Sequence, residues 1–142
     1  MGANCMLVGR RDRWVMIDCG VRFPRMDEIG AERILPDLGL LSRYADRIEA
    51  VVLTHGHEDH IGALAWVLPV LDPAVRVFAS GFTRALIRRR LLEYGLWKSD
   101  LVTPFAPGEL FEAGPFLVEA IRVTHSIPDC CSLVLRADEG TI

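Results

Sequence analysis

The sequence predicts an α/β domain in which helices pack on a mixed β-sheet. Strand-like runs alternate with helix-like segments early in the chain, and strand-like runs separated by glycine- and proline-containing turns dominate late. The chain has 142 residues, of which 51% are hydrophobic. That size and composition fit one domain with a substantial core.

The first part of the chain predicts a hairpin, a long loop and a helix. Residues 4–8 and 14–18 are apolar runs on either side of the polar turn GRRDR, which is typical of a β-hairpin. Residues 20–36 show no regular period, and a loop of that length within a compact domain is usually functional. Asp37 can cap a helix whose apolar spacing continues to Ile48.

The central part predicts a strand and a helix that are both buried. The run AVVLTH, residues 50–55, is continuously apolar up to its last two positions, which is typical of a strand buried on both faces. Residues 61–71 then predict one buried helix, which Pro69 should end or kink.

The remaining elements are a surface helix and a series of strands. Residues 82–94 predict a helix closed by Gly95, with the basic run 88–90 on a solvated face. The turn DEGT near the end predicts a last hairpin whose return strand is almost absent. Strands are expected at residues 75–80, 101–105, 110–113, 116–125 and 131–137.

Composition excludes several classes of function. The net charge of −3 gives no overall electrostatic footprint for nucleic acid. The most apolar stretch, residues 61–71, has about half of the ~20 residues that span a bilayer. Without a signal peptide, we expect a soluble, cytoplasmic protein that does not bind membranes. No C-x-x-C pair occurs, so the four cysteines are expected to be free thiols: Cys5, Cys19, Cys130 and Cys131.

The stretch LTHGHEDHIG, residues 53–62, carries three of the four histidines. His55 and His57 fall in the loop beyond a strand's carboxyl end, where α/β proteins bind ligands, and both rings can face one point. Asp59 and His60 begin the following helix and face a neighbouring point. One segment can therefore supply two metal positions, with imidazole and carboxylate ligands that suit zinc, or manganese where oxygen ligands prevail.

Other interpretations of this stretch are weaker. The zinc-protease pattern H-E-x-x-H needs histidines four apart on a helix, whereas His57 and His60 are three apart and Gly56 breaks any helix upstream. A structural zinc site would favour cysteines, and none is near in sequence. A polar loop with incidental histidines is the plain alternative, which three histidines within six residues disfavour.

Two further residues follow predicted strands. His125 ends the strand that begins at residue 116, a position like that of His55, and this favours a role as ligand over a surface role. Asp18 ends the second strand of the hairpin, where a carboxylate could orient a histidine that binds metal. The alternative for Asp18 is a turn-forming aspartate before Gly20.

The signature H-x-H-x-D-H, present as His55-Gly-His57-Glu-Asp59-His60, resembles that of the metallo-β-lactamase superfamily. The wider match is similar to the ribonuclease J family, in the β-CASP group. The supporting stretches are MGANCMLV (1–8), IDCGVRFP (17–24), ILPD (34–37), LTHGHEDHIGAL (53–64) and IRVTHSIPD (121–129).

That resemblance implies a partial αββα sandwich, the N-terminal half of the fold, and a metal-dependent ribonuclease acting 5′→3′ and internally on RNA. It implies two divalent metal ions. Zinc is the expected metal, and manganese is the alternative. His55, His57 and His125 would hold one ion, and Asp59 and His60 the other. Asp18 matches a conserved aspartate of the family and joins Asp59 and His60 among the expected catalytic residues. Two ions a few ångströms apart can stabilise in-line displacement at phosphorus.

Departures from the family pattern shape the expectation for these 142 residues. The family's G-D-F-K segment, with its metal-bridging aspartate, is absent, as are the β-CASP and C-terminal domains that would contact most of the RNA. Residues 1–142 are thus expected to be an incomplete domain that binds metal weakly and is inactive alone, with a homo-oligomeric full-length form. Cys130 stands where the family usually has serine. The alternatives are a thioester or lactone hydrolase and a non-catalytic metal-binding fragment.

Overall fold

The computed structural model describes residues 2–142 and confirms the α/β class. Two β-sheets stack face to face, and the helices cover the outer face of the first sheet. The predicted mixed sheet is the first of the two. The late strands form a separate antiparallel sheet.

The first sheet has five strands in chain order. β1 pairs antiparallel with β2, which gives the predicted hairpin, whereas all other pairs are parallel. The carboxyl ends of β2, β3 and β4 therefore lie at one edge. The strands are β1 (Met6–Arg10), β2 (Arg13–Ile17), β3 (Ile48–Leu53), β4 (Arg76–Ser80) and β5 (Val102–Phe105).

The second sheet is antiparallel throughout. Its last pair is the hairpin predicted from DEGT. The return strand is short but paired, and Ile142 exchanges two backbone hydrogen bonds with Leu135 at 2.8 and 2.9 Å. The sequence led us to expect an almost absent return strand, but the preceding strand has a paired neighbour. The strands are β6 (Leu110–Ala113), β7 (Phe116–Arg122), β8 (Cys131–Ala137) and β9 (Gly140–Thr141).

The helices are α1 (Leu38–Arg43), α2 (Glu58–Ile61), α3 (Leu64–Val67) and α4 (Gly81–Glu93), with a 3₁₀ turn at Leu68–Val70. The side chain of Asp37 caps α1, accepting from the backbone N–H of Leu40 at 3.0 Å. The expected continuation of α1 to Ile48 was wrong, because Ile48 is buried as the first residue of β3.

The expectation of one continuous helix over residues 61–71 was also wrong. The segment breaks at Gly62 and Ala63, where the backbone N–H of Ala63 donates to Cys19 O at 2.9 Å. Pro69 has no N–H to donate, and the last turn is 3₁₀. Tertiary hydrogen bonding thus competes with helical hydrogen bonding close to residues 54–57, the histidine-rich loop between β3 and α2.

Strand β3 is buried on both faces, as its apolar run predicted. Val51 and Leu53 pack with the helices, while Ala50 and Val52 pack against the second sheet. Each of these four side chains is fully buried. The strand ends at Leu53, so His55 lies in the loop beyond the strand, as predicted, and Thr54 lies in that loop as well.

The other expectations have mixed outcomes. All four cysteines are free, Cys5 being half-buried and the others buried. The segment of residues 20–36 is a loop, closed by an isolated bridge between Arg22 and Ile34. Arg88 and Arg89 are exposed as predicted, but Arg90 is half-buried and pairs with Glu58. Within residues 2–142, no helix is both long and apolar enough to cross a bilayer.

Candidate metal centre

The candidate site lies at the carboxyl edge of β2 and β3. Because these strands are parallel neighbours, the residues that follow them meet: the backbone N–H of Asp18 donates to Val52 O at 3.0 Å. The second sheet joins the same edge through a hydrogen bond from Cys131 N to Thr54 O at 3.1 Å. This bond brings the β7–β8 connection, which carries His125, over the histidine-rich loop.

The structure brings His55, His57 and His125 together. Their ring centroids form a near-equilateral triangle with sides of 4.9, 4.7 and 4.8 Å. His55 Nε2 lies 3.0 Å from His57 Nδ1, so nitrogen atoms of the two rings face each other. His125 lies three residues beyond the end of β7, not at the strand end as predicted, and its ring is exposed.

Asp59 and His60 form an adjacent pair at the start of α2. Asp59 Oδ2 lies 3.8 Å from His60 Nε2, and the His55 and His60 ring centroids are 3.9 Å apart. His60 Nδ1 lies 2.7 Å from Asp18 Oδ2. A proton on Nδ1 shared with this carboxylate leaves Nε2 unprotonated, which suits metal binding.

Asp18 is buried, and Thr54 satisfies most of its hydrogen-bonding capacity. Asp18 Oδ1 accepts from the backbone N–H of Thr54 at 2.8 Å, and Thr54 Oγ1 lies 3.0 and 2.9 Å from the two carboxylate oxygens. The same hydroxyl lies 2.9 Å from His55 Nδ1. Sequence analysis missed Thr54, although its position directly before His55 was a usable signal.

Backbone contacts fix the positions of Asp59 and His60. Cys19 N donates to His60 O at 2.6 Å, and Asn4 N donates to Asp59 O at 2.9 Å. Gly20 permits this approach, since a Cβ atom there would lie 1.7 Å from the carbonyl oxygen of Asp59. The segment that follows β2 therefore holds the first turn of α2 by main-chain contact.

Asn4 also reaches the site with its side chain, which sequence analysis missed. Its Nδ2 lies 3.1 Å from Asp59 O, 3.3 Å from Asp59 Oδ2 and 3.1 Å from His60 Nε2. The amide thus touches both members of the pair. Its place within the matched stretch MGANCMLV was the only sequence signal.

The two central histidines have opposite pKa shifts. Burial, followed by the positive charge of His60, lowers the pKa of His55 to about 4. Burial also lowers the pKa of His60, but the hydrogen bond and charge of Asp18, with the charge of Asp59, outweigh it and raise the pKa. Near neutral pH, His55 is therefore uncharged, the form that binds metal ions.

The donor set fits divalent cations. Four imidazoles and a carboxylate converge, and a cavity of about 420 Å³ runs along Asp18, Thr54, His55, His60 and Cys130. Imidazole and carboxylate ligands together suit zinc and other divalent transition metals.

The chain resembles known proteins along almost its whole length. Residues 1–139 match the metallo-beta-lactamase superfamily. The chain is 40% identical over 132 residues to ribonuclease J of Sinorhizobium meliloti, covering 92% of this chain and 23% of that protein. It is 40% identical over 142 residues to ribonuclease J of Mycolicibacterium smegmatis, covering 100% of this chain and 25% of that protein.

Solved structures share the fold at low sequence identity. The metallo-beta-lactamase fold protein YhfI from Bacillus subtilis aligns with a TM-score of 0.66 and 20% identity, covering 99% of this chain and 52% of that chain. Human tRNase Z, short form, aligns with a TM-score of 0.64 and 17% identity, covering 97% of this chain and 58% of that chain. The chain spans about a quarter of the length of the ribonuclease J relatives and belongs to the metallo-beta-lactamase superfamily.

Proposed function

We propose that this chain is the metal-binding part of a ribonuclease of the ribonuclease J type, which cleaves RNA phosphodiester bonds. The observation that carries the proposal is the triangle of His55, His57 and His125 beside the Asp59–His60 pair. The chain's 40% identity to ribonuclease J proteins supports RNA as the substrate over thioesters or lactones.

The five residues divide into two ligand groups for two divalent cations. Zinc is the expected metal, and manganese is the alternative. His55, His57 and His125 would hold one cation, and Asp59 and His60 the other. Cations bound there would act as Lewis acids towards the phosphoryl group and would favour ionisation of the attacking water at neutral pH.

The protein's own groups position these ligands. Asp18 holds His60 through Nδ1, and Thr54 connects Asp18 with His55. Such outer contacts fix ring orientation and raise ligand basicity. Asp18 therefore acts through His60, and we place Asp59 and His60 nearest to the reacting phosphate.

We further propose that residues 1–142 are an incomplete domain of a longer protein. The shared quarter of the ribonuclease J length supports this division. In the longer protein, β-CASP and C-terminal domains would make most RNA contacts and assemble homo-oligomers, and the site of action would be cytoplasmic RNA processing and decay. The 142 residues alone are expected to bind cations weakly and not to turn over RNA.

The decisive experiment is degradation of 5′-monophosphorylated RNA by the protein that contains this segment, with Zn²⁺ or Mn²⁺ added after chelation. We expect metal-dependent cleavage that His57→Ala and Asp59→Ala abolish. Asp72→Ala is the matched control, since Asp72 is exposed and precedes the amino end of β4, at the edge of the first sheet opposite the histidines. Thioester hydrolysis without RNA cleavage would refute the proposal, as would robust RNA cleavage that survives both substitutions.

A further inference from the structure

Among the buried apolar residues within 2–142, Cys130 is the one that belongs to neither hydrophobic core. Its exposed fraction is 4%. It belongs neither to the core between the first sheet and the helices nor to the core between the two sheets, here called the inter-sheet cluster. Its neighbour Cys131, 3% exposed, belongs to the inter-sheet cluster, and its thiol donates to Asp129 O at 3.6 Å. The two adjacent thiols therefore have different surroundings.

The surroundings of Cys130 are those of a metal ligand. Its sulfur and nitrogen atoms of His55 and His125 all lie within 4.8 Å of one another. Cys130 also lines the cavity that runs past Asp18, His55 and His60. The three residues come from two segments: His55 lies in the loop after β3, and His125 and Cys130 lie in the β7–β8 connection, of which Cys130 is the last residue.

Main-chain hydrogen bonds hold Cys130 in this place. Val123 N donates to Cys130 O at 3.0 Å, and Cys131 N donates to Thr54 O at 3.1 Å. The first bond closes the loop that carries His125, and the second ties Cys130 to the segment that carries His55. These main-chain hydrogen bonds therefore hold the cysteine next to both histidines.

We propose that Cys130 is a thiolate ligand of the cation held by His55 and His125, and that it makes this position selective for zinc. Thiolate is a soft ligand that favours zinc, whereas manganese prefers oxygen ligands. His57, whose Nδ1 lies 3.0 Å from His55 Nε2, would supply the fourth donor, and four is the coordination number that zinc favours. Zinc binding displaces the thiol proton to solvent, so no other reactant is needed.

This inference rests on the proposed metal centre but is tested separately from it. Cobalt(II) replaces zinc in such sites, and a cobalt–thiolate bond gives a near-ultraviolet charge-transfer band that histidine ligands do not give. We expect the 142-residue chain to show this band on cobalt titration. Cys130→Ser should abolish it while visible cobalt bands remain, and the matched control Cys131→Ser should keep it.

Affinity provides the second readout. Cys130→Ser should weaken zinc binding by about tenfold or more while leaving manganese binding unchanged, so that zinc selectivity falls. Zinc-edge X-ray absorption of the unmodified chain needs no variant, and we expect one sulfur at about 2.3 Å from zinc.

The outcomes separate the two proposals. Cobalt bound with visible bands but without the charge-transfer band, or zinc without a sulfur neighbour, would overturn the role of Cys130 and leave the histidine centre intact. A charge-transfer band that persists in Cys130→Ser would also overturn it. No cobalt or zinc binding by the unmodified chain would overturn both the role of Cys130 and the metal centre.

Discussion

Asp18 Oδ2 lies 2.7 Å from His60 Nδ1, which joins the end of β2 to the first turn of α2 through two side chains. Asp18 is buried and has a φ of 59°, a left-handed conformation that aspartate and asparagine tolerate better than most residues. The contact therefore depends on a left-handed backbone conformation at Asp18, and it places a carboxylate against Nδ1 of a candidate metal ligand.

Asp18→Asn should weaken zinc binding by about 10- to 100-fold, because it removes the charge that raises the basicity of His60. Asparagine keeps the size and tolerates the backbone conformation. The measurement is isothermal titration calorimetry with zinc. Asp12→Asn is the matched control, since Asp12 also has a positive φ, of 65°, but lies exposed in the β1–β2 turn. Equal zinc affinities for the two variants would contradict the prediction.

Asn4→Ala should weaken binding of the second cation, the one assigned to Asp59 and His60, by about tenfold and leave binding of the first cation unchanged. The reason is that the Asn4 amide donates to the backbone oxygen and to Oδ2 of Asp59 and thereby positions this candidate ligand of the second cation. Titration with cobalt, followed by visible absorption, measures the two binding steps. The first step serves as the internal control, and equal loss at both steps would indicate a general structural effect instead.

Gly20→Ala should destabilise the fold by roughly 3 kcal/mol or more, as overpacking against backbone atoms does. The new Cβ would lie 1.7 Å from Asp59 O, so the segment after β2 and α2 must separate. Gly81→Ala is the control: no atom lies within 4 Å of its new Cβ, and a change within about 0.5 kcal/mol is expected. Urea unfolding gives both values, and similar midpoints would refute the close approach.

Arg90→Ala should lower the free energy of unfolding by about 1 kcal/mol, because it leaves the carboxylate of Glu58 without its cationic partner. The Arg90 and Glu58 side chains are 19% and 39% exposed. The neighbouring Arg89 is 84% exposed and lies 4.0 Å from Glu93. Arg89→Ala should therefore change stability by at most about 0.5 kcal/mol. Urea unfolding at neutral pH distinguishes them, and an equal loss in both variants would contradict the ion pair's role.

Acid should destabilise the cation-free protein through His55. Its pKa of about 4 lies below the ordinary value of 6.5, so the unfolded chain binds the proton more readily between these values. Stability is therefore lost as the pH falls from 6.5 towards 4, by about 3 kcal/mol.

His60 has the opposite sign, because its raised pKa adds stability that is present at low pH and is lost as the pH rises through that pKa. Urea unfolding of chelator-treated protein across this range measures the sum. His55→Gln isolates the first effect, since it should remove most of the acid-dependent loss. An unchanged pH profile in this variant would contradict the assignment.

Periodicity and turn residues predicted the strands well but the helix boundaries less well. The apolar run around Val51 predicted a strand buried on both faces because each of its side chains contributes to a core. Spacing alone could not show that Ile48 opens a strand, or that the backbone N–H of Ala63 donates to Cys19. Those outcomes depend on neighbours distant in sequence, which compete with local helical hydrogen bonds.

The sequence by itself determined the donor atoms and their local grouping: the spacing of His55, His57, Asp59 and His60 places them in one strand–loop–helix segment. Only the tertiary structure decided what surrounds them. Parallel pairing of β2 and β3 sets Asp18 behind His60, and the contact between the two sheets sets His125 and Cys130 beside His55. Sequence analysis found no cysteine near the histidines, because nearness in a folded chain is set by sheet pairing and not by separation along the chain.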